Sequence, residues 1–465
     1  MENSTLNPSN SSATPVNRQK LLLVGLLALV LFVGLALGGG APPADKLAVF
    51  GLGVALLAIV LGGFALAAWH LLLRPLPADH KNPAHQMMAA PYRRLLAALV
   101  GIAGINLVVG GFWDEVWHRQ FGIPFGEDLF WRPHLLIYSS IIITVGLASL
   151  GFLDILRNGR GTWQQRFRAK PITGLLVLVG AFMLIALPAD PAWHLLYGDD
   201  ISAWSIPHIV LTFSFVLVMV LAMAIQLSTV PRRAWRPVWR LTGQDLLLVM
   251  VLAFVLLVTP QALTTDWDSG SVALLSQRPT WLLPAVITTL AVLVGTLANH
   301  ALRAVGVASF VGFLALAIRL ALIAAFDNPD LSVGSWISAL PLVVALDLLY
   351  GWRQFRGRSV PAFVGVGLAA TAGLALGTFS LINAFFPYPT IGPNNLIVMI
   401  GTGLIAALSA AWAGQTLGDA LATGPKQVDE APASLPSLGW IPPVAFVIML
   451  GLILLFITTA QPPVT

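Results

Sequence analysis

Two short windows carry the residue types in this chain that can do chemistry. The first reads Asp114-Glu115-Val116-Trp117-His118, then Gly122, then Trp131-Arg132-Pro133-His134. The second reads Asp190-Pro191-Ala192-Trp193-His194, then Gly198, then Trp204-Ser205-Ile206-Pro207-His208. One template covers both: Asp, two residues, Trp-His, three residues, Gly, a short polar loop, Trp, and Pro-His. Four of the eight histidines fall in these windows. Asp114 and His118 are four apart, as are Asp190 and His194. On a helix each such pair shares a face, one turn apart. His134 and His208 each follow a proline suited to the first turn of the next helix. A loop between the helices then folds the second imidazole back towards the first pair.

Each window therefore offers one carboxylate and two imidazoles. That donor set suits Zn(II), Cu(II) or Fe(II), and it matches the facial triad of non-haem iron oxygenases. Histidines on two helices also suit b-type haem, although haem ligation has no use for a carboxylate four residues before the ligand. The plainer alternative is a set of interfacial polar residues. Trp117, Trp131, Trp193 and Trp204 fit an aromatic belt at a membrane surface, and ionisable groups at helix ends reach the headgroups without a chemical role.

The elements that must position these residues are membrane helices. Of 465 residues, 57% are hydrophobic and 10% are charged, against about 25% charged in soluble domains. Apolar runs of about 20 residues recur along the chain, each long enough for a hydrocarbon core about 30 Å thick. The expected fold class is all-α: a polytopic transmembrane helical bundle of about 13 spans. The spans are expected near 21–40, 47–73, 94–112, 134–155, 172–188, 207–229, 245–263, 281–299, 303–326, 335–350, 360–384, 395–421 and 441–460. A transmembrane barrel would show alternating segments of about 10 residues instead. With no cysteine, disulfides, iron–sulfur clusters and thiolate metal sites are excluded. The net charge of +5 comes from bases in short loops, so the expected partner is a lipid bilayer and not nucleic acid.

Residues 1–20 are rich in Asn, Ser, Thr and Pro and read as a disordered cytoplasmic tail. A helix pair and a cytoplasmic loop follow over 21–93, a four-helix core bearing the motifs over 94–230, and a bundle of about seven helices over 245–460. The first apolar run is too long for a signal-peptide core and reads as a retained helix. Bases cluster on one side: Arg93 and Arg94, Arg157 to Lys170, Arg232 to Arg240, and Arg353 to Arg358. The positive-inside rule puts that side and the N-terminus in the cytoplasm. The motifs then lie at the extracytoplasmic ends of their helices, in a bacterial-type inner or plasma membrane. His300 and Arg303 are expected in a cytoplasmic loop. Arg319 and Asp347 are expected to pair within the bundle. Gly365-x3-Ala369 and Gly373-x3-Gly377 are small-residue patterns suited to close helix packing.

At Asp114, His118 and His134, and at Asp190, His194 and His208, the chain resembles the C subunit of the copper-dependent membrane monooxygenases of the particulate methane and ammonia monooxygenase family. The resemblance covers roughly residues 90–230. The family's second set begins with Asn where this chain has Asp190, and its loop before the third ligand is shorter than the one before His134. Its C subunit also has no need of the roughly seven further spans found here. The resemblance implies copper at these two sets, with zinc or iron left open by the donor types. It implies dioxygen-dependent oxidation of a small apolar substrate, electrons from a quinol or another subunit, and further membrane subunits as partners. Two other classes fit the composition. One is a structural, assembly or metal-handling subunit of an electron-transport complex. The other is a transporter, which would show inverted repeats and broken helices near the midplane.

Overall fold

A computed structural model describes residues 47–76, 83, 86–121, 130–189, 206–230, 234–243, 245, 248–249, 251–253, 282–326, 334–356, 393–423, 448, 451–453 and 455–460. The chain is mostly helical. In order run α1 (Leu47–Ala68, passing into a π turn at Trp69–Leu73), α2 (Ala90–Phe121), α3 (Arg132–Asn158), α4 (Trp163–Ala169), α5 (Pro171–Ala186), α6 (Ile206–Ser228), α7 (Leu282–Leu302), α8 (Val307–Phe326), α9 (Gly334–Arg356) and α10 (Pro393–Thr423). Two two-residue strands, β1 (Arg236–Pro237) and β2 (Ala304–Val305), pair in parallel, with Arg236 opposite Ala304 and Pro237 opposite Val305.

Helices stand where spans were expected near 47–73, 94–112, 134–155, 172–188, 207–229, 281–299, 303–326, 335–350 and 395–421. The expected tail at 1–20 and the expected spans at 21–40 and 360–384 lie outside the described residues. Those at 245–263 and 441–460 are described only in part. The count of about 13 is corrected. Among the described residues, four stretches are long and apolar enough to cross a membrane: Ala90–Asp114, Arg132–Asn158, Val210–Ser228 and Val307–Ala325. The number rises to five if α4 and α5, bent by 112°, count as one span. Shorter apolar stretches among the described residues are Ala58–Leu73, Ile287–Leu302 and Ala339–Trp352.

Helix α2 packs on α3 and α6, and α5 packs on α3 and α6. Helix α7 packs on α8, α9 and α10. One buried cluster joins the two groups, with Val108, Met219 and Leu221 on one side and Val294, Leu297 and Val311 on the other. The helix ends are tied by polar side chains. Arg93 is fully buried at the start of α2. Its Nε donates to the Met88 carbonyl at 2.7 Å, and its Nη1 donates to the carbonyl and hydroxyl of Ser228 at 2.8 and 2.9 Å.

Lipid tails give apolar helices no reason to associate, so close backbone approach carries much of the packing. Helices α7 and α10 meet across Gly414 and Gly418. A Cβ on Gly414 would stand 2.6 Å from the Leu293 carbonyl, and one on Gly418 would stand 2.6 Å from the Cβ of His300. This pair does what the sequence pattern assigns to Gly365-x3-Ala369 and Gly373-x3-Gly377, which lie outside the described residues. Replacing Gly414 with Val forces the two helices apart. The expected loss is about 1–3 kcal/mol, read as a lower midpoint of thermal unfolding in detergent. An unchanged midpoint would contradict the close contact.

Candidate functional site

Of the first window, Asp114 and His134 are among the described residues. Asp114 lies near the end of α2, and His134 lies in the first turn of α3 behind Pro133. Their side chains meet, with His134 Nε2 2.8 Å from Asp114 Oδ1, and each is about one-sixth exposed. What lets α3 come this close is Gly110, one turn before Asp114. A Cβ there would stand 2.9 Å from both the Pro133 carbonyl and Ile137, and 3.0 Å from Leu136. Lower down the same helix pair, Asn106 Nδ2 donates to the Ser139 hydroxyl at 3.0 Å.

Aromatic rings cluster around the ends of α2 and α3 that carry this pair. Trp113 is edge-on to Trp117 at 4.9 Å, and Trp117 is edge-on to Trp131 at 5.7 Å. The Tyr138 ring lies 5.9 Å from the His134 ring. Phe456, from the C-terminal helical segment, closes on Trp113 at 6.1 Å. Arg132 holds that segment in place. Its Nη1 donates to the Phe456 carbonyl and the Thr459 hydroxyl, both at 2.8 Å, and its guanidinium covers the Phe456 ring at 5.1 Å. Trp117 of the motif thus packs between Trp113 and the motif's Trp131.

The remaining candidates are only partly placed. His118 lies on α2 one turn beyond Asp114, and His208 lies in the first turn of α6, with both side chains outside the described residues. Asp190 and His194 lie wholly outside them. Among the described residues no group of three or more His, Cys, Asp or Glu converges to hold a metal ion. The structure therefore brings together two donors of the first set. Their separation fits a shared ion, since two ligands each about 2.1 Å from a metal and roughly at right angles stand about 3 Å apart. It fits an imidazole N–H donating to a carboxylate equally well.

A second polar centre lies at the opposite end of the bundle, where sequence reasoning placed a loop. His300 is in the last turn of α7 and buried. Its Nδ1 lies 3.0 Å from Asp419 Oδ1 on α10, and its Nε2 lies 2.8 Å from the Tyr350 hydroxyl on α9. Arg303, with a left-handed φ of 49°, reaches the same Asp419 oxygen at 2.9 Å. Trp235 stacks on Tyr350 at 5.7 Å and lies 5.7 Å from the Arg303 guanidinium. Beside it, Asp347 accepts from Asn299 Nδ2 at 2.8 Å and from the backbone N–H groups of Gly306 and Ser309 at 2.9 and 2.6 Å. The expected Arg319–Asp347 pair is therefore corrected. Asp347 binds the start of α8, whereas Arg319 lies ten residues past Ser309 on that helix, roughly 15 Å further along its axis. Arg319 is instead buried with its guanidinium 5.0 Å over the Phe112 ring. Tyr350 and His300 are almost fully buried, whereas Arg303 and Asp419 are partly exposed, and the centre fastens α7, α9 and α10 to one another.

Comparison of the chain with family models, curated proteins and solved structures finds no match.

Two substitutions test these arrangements. Gly110→Val pushes α3 off α2 and parts Asp114 from His134, while leaving Asn299, His300 and Asp419 untouched. The expected loss is about 1–3 kcal/mol of stability, together with a shift of the His134 imidazole resonance in NMR. Asp347→Ala leaves three donors without their acceptor, and each costs about 1–3 kcal/mol when buried. Thermal unfolding in detergent should show a larger loss for Asp347→Ala than for Gly110→Val, and the reverse order would contradict the role of Asp347 as a buried acceptor.

Proposed function

We propose that this chain is an integral membrane metalloprotein that holds a copper ion at Asp114, His118 and His134, in the manner of the copper monooxygenase C subunit that these residues resemble. The observation that supports the reading is the Asp114–His134 contact at 2.8 Å. These two residues, twenty positions apart, were singled out by spacing and donor type, and their side chains lie within hydrogen-bonding distance. A parallel set at Asp190, His194 and His208 would hold a second ion.

Each residue has a definite task. Asp114 supplies the negative charge that offsets a divalent cation in a largely buried site. His134 offers Nε2 from the rigid first turn of α3, and His118 offers its imidazole from one turn beyond Asp114. Trp113, Trp117, Trp131 and Tyr138 exclude water and shape an apolar approach, the setting in which a small hydrocarbon-like substrate would enter from the bilayer. Arg132 holds the Phe456–Thr459 segment over that wall. Bound copper would supply dioxygen activation, with electrons delivered by a quinol or a partner subunit.

Metal analysis of full-length protein purified from membranes tests the reading. The expected result is about one or two equivalents of copper, reduced by at least half in Asp114→Ala and His134→Ala. The ligands must be neutral imidazole and ionised carboxylate, so copper retention falls as the pH is lowered and protons compete with the metal. Wild-type protein with less than about half an equivalent of any transition metal, unchanged in both variants, would leave Asp114–His134 as a hydrogen-bonded fastener of α2 to α3.

A further inference from the structure

Residues 234–243 form a strap across the end of the bundle that carries His300. The apolar stretch Val210–Ser228 ends shortly before them in sequence. Their strand β1 pairs with β2, which ends two residues before the stretch Val307–Ala325 begins. The strap is fastened along its length. Arg236 N donates to the Arg303 carbonyl at 3.0 Å. Trp235 turns in and stacks on Tyr350 at 5.7 Å. Val238 packs on Gly306, where a Cβ would stand 2.8 Å from its Cγ1. Arg236 Nη1 donates to the Arg240 carbonyl at 3.1 Å, and Nη2 donates to Asp245 Oδ2 at 2.8 Å. The same Asp245 oxygen accepts from the Thr242 N–H and hydroxyl at 2.7 and 2.8 Å.

Trp239 does the opposite of Trp235. It is 79% exposed, more than any other large hydrophobic side chain among the described residues. Its place is nonetheless fixed. It sits in the middle of the single turn Val238–Arg240, which Leu241 N closes by donating to the Val238 carbonyl at 3.0 Å. The fastened strap thus holds an indole outward, with the exposed Arg240 next to it. Residues 231–245 contain the bases Arg232, Arg233, Arg236 and Arg240 and a single acid, Asp245. That acid is buried and committed to Arg236 and Thr242. Trp352, on α9 two residues past Tyr350, is 51% exposed at the same end.

We propose that Trp239 and Arg240 form a membrane-surface anchor whose partner is the headgroup layer of anionic phospholipids. The proposal rests on reading the chain as a membrane protein and not on any metal at Asp114. Position favours lipid. The strap is hydrogen-bonded to the residues just before an apolar stretch of spanning length, which is the level where an indole, apolar in body and polar at its N–H, settles. Charge favours anionic lipid. The exposed base beside the indole reaches the headgroups, and the acid of the strap is turned inward and neutralised. The anchor also has a structural consequence. The strap whose Trp239 enters the lipid surface is the one whose Trp235 packs on Tyr350 and whose backbone holds Arg303, so lipid contact outside supports the fastening of α7, α9 and α10 inside.

The test uses the full chain in vesicles of phosphatidylglycerol and phosphatidylcholine in equal parts, with one lipid at a time brominated near the glycerol end of its acyl chains. The Trp239 share of the fluorescence is the wild-type emission less that of Trp239→Phe. Brominated phosphatidylglycerol should quench this share roughly twofold or more better than brominated phosphatidylcholine, and Arg240→Gln should bring the two together. Because the chain has no cysteine, Trp239→Cys takes a single nitroxide, which reads the same position without a difference spectrum. Dissolved oxygen should relax it more than an aqueous nickel chelate does. Quenching of the Trp239 share by aqueous iodide and by neither lipid would overturn the proposal, as would a nitroxide relaxed mainly by the nickel chelate. Equal quenching by the two lipids in the wild type would overturn the anionic assignment, and a preference unchanged in Arg240→Gln would overturn the role of Arg240. Shielding of Trp239 from both lipids and from iodide would overturn the lipid partner in favour of a protein surface seated on the strap.

Discussion

A polar group in a hydrocarbon-like interior must find its partner within the protein, and this constraint shapes the rest of the molecule. Polar side chains collect at the two ends of the bundle, where chain reversals leave backbone groups in need of partners. At one end Arg93 satisfies the last turn of α6 through Ser228, and Asp347 satisfies the first N–H groups of α8. At the other end Arg132 takes the Phe456 carbonyl from the C-terminal segment. Between the ends, packing rests on apolar side chains and on glycines such as Gly110 and Gly414, which let backbones approach.

The same constraint explains which parts were legible in the sequence. Apolar runs place the helices, because hydrophobicity along the chain is a local property. They do not show what the polar residues inside the helices do, because the partners of His300 and Asp347 stand on other helices. Asp114 and His134 were legible for a related reason. They sit on consecutive helices, and helical spacing with a proline at the first turn predicts that they face each other. His300 was not legible as a centre. Its partners Tyr350 and Asp419 are 50 and 119 residues away on other helices, and no local pattern links them. The available signals were the acids themselves, since Asp347 and Asp419 each interrupt an apolar helix.

The two ends differ in kind. The His300 centre is a network in which imidazole, phenol, carboxylate and guanidinium engage one another, with Tyr350 and His300 buried. Such a network fixes the mutual positions of α7, α9 and α10 and leaves little for a ligand to do. Asp114 and His134 are each about one-sixth exposed, and the tryptophans next to them in sequence pack on one another. Fastening α2 to α3 is already served by Gly110 and by Asn106 with Ser139. A carboxylate and an imidazole held together in that setting form a preorganised pair on rigid helix ends, the kind of support a metal ligand set requires.

Arg132 extends this argument to the C-terminal segment. Its guanidinium lies two residues before His134, in the same turn of α3, yet it bonds to Phe456 and Thr459, more than 320 residues away in sequence. The backbone that positions His134 is thereby tied to the segment whose Phe456 ring closes on Trp113. A movement of the C-terminal segment would be felt first at Arg132 and next at His134. The wall of the site is thus built from three parts of the chain, and its closure depends on a helix far from the motif that first drew attention to it.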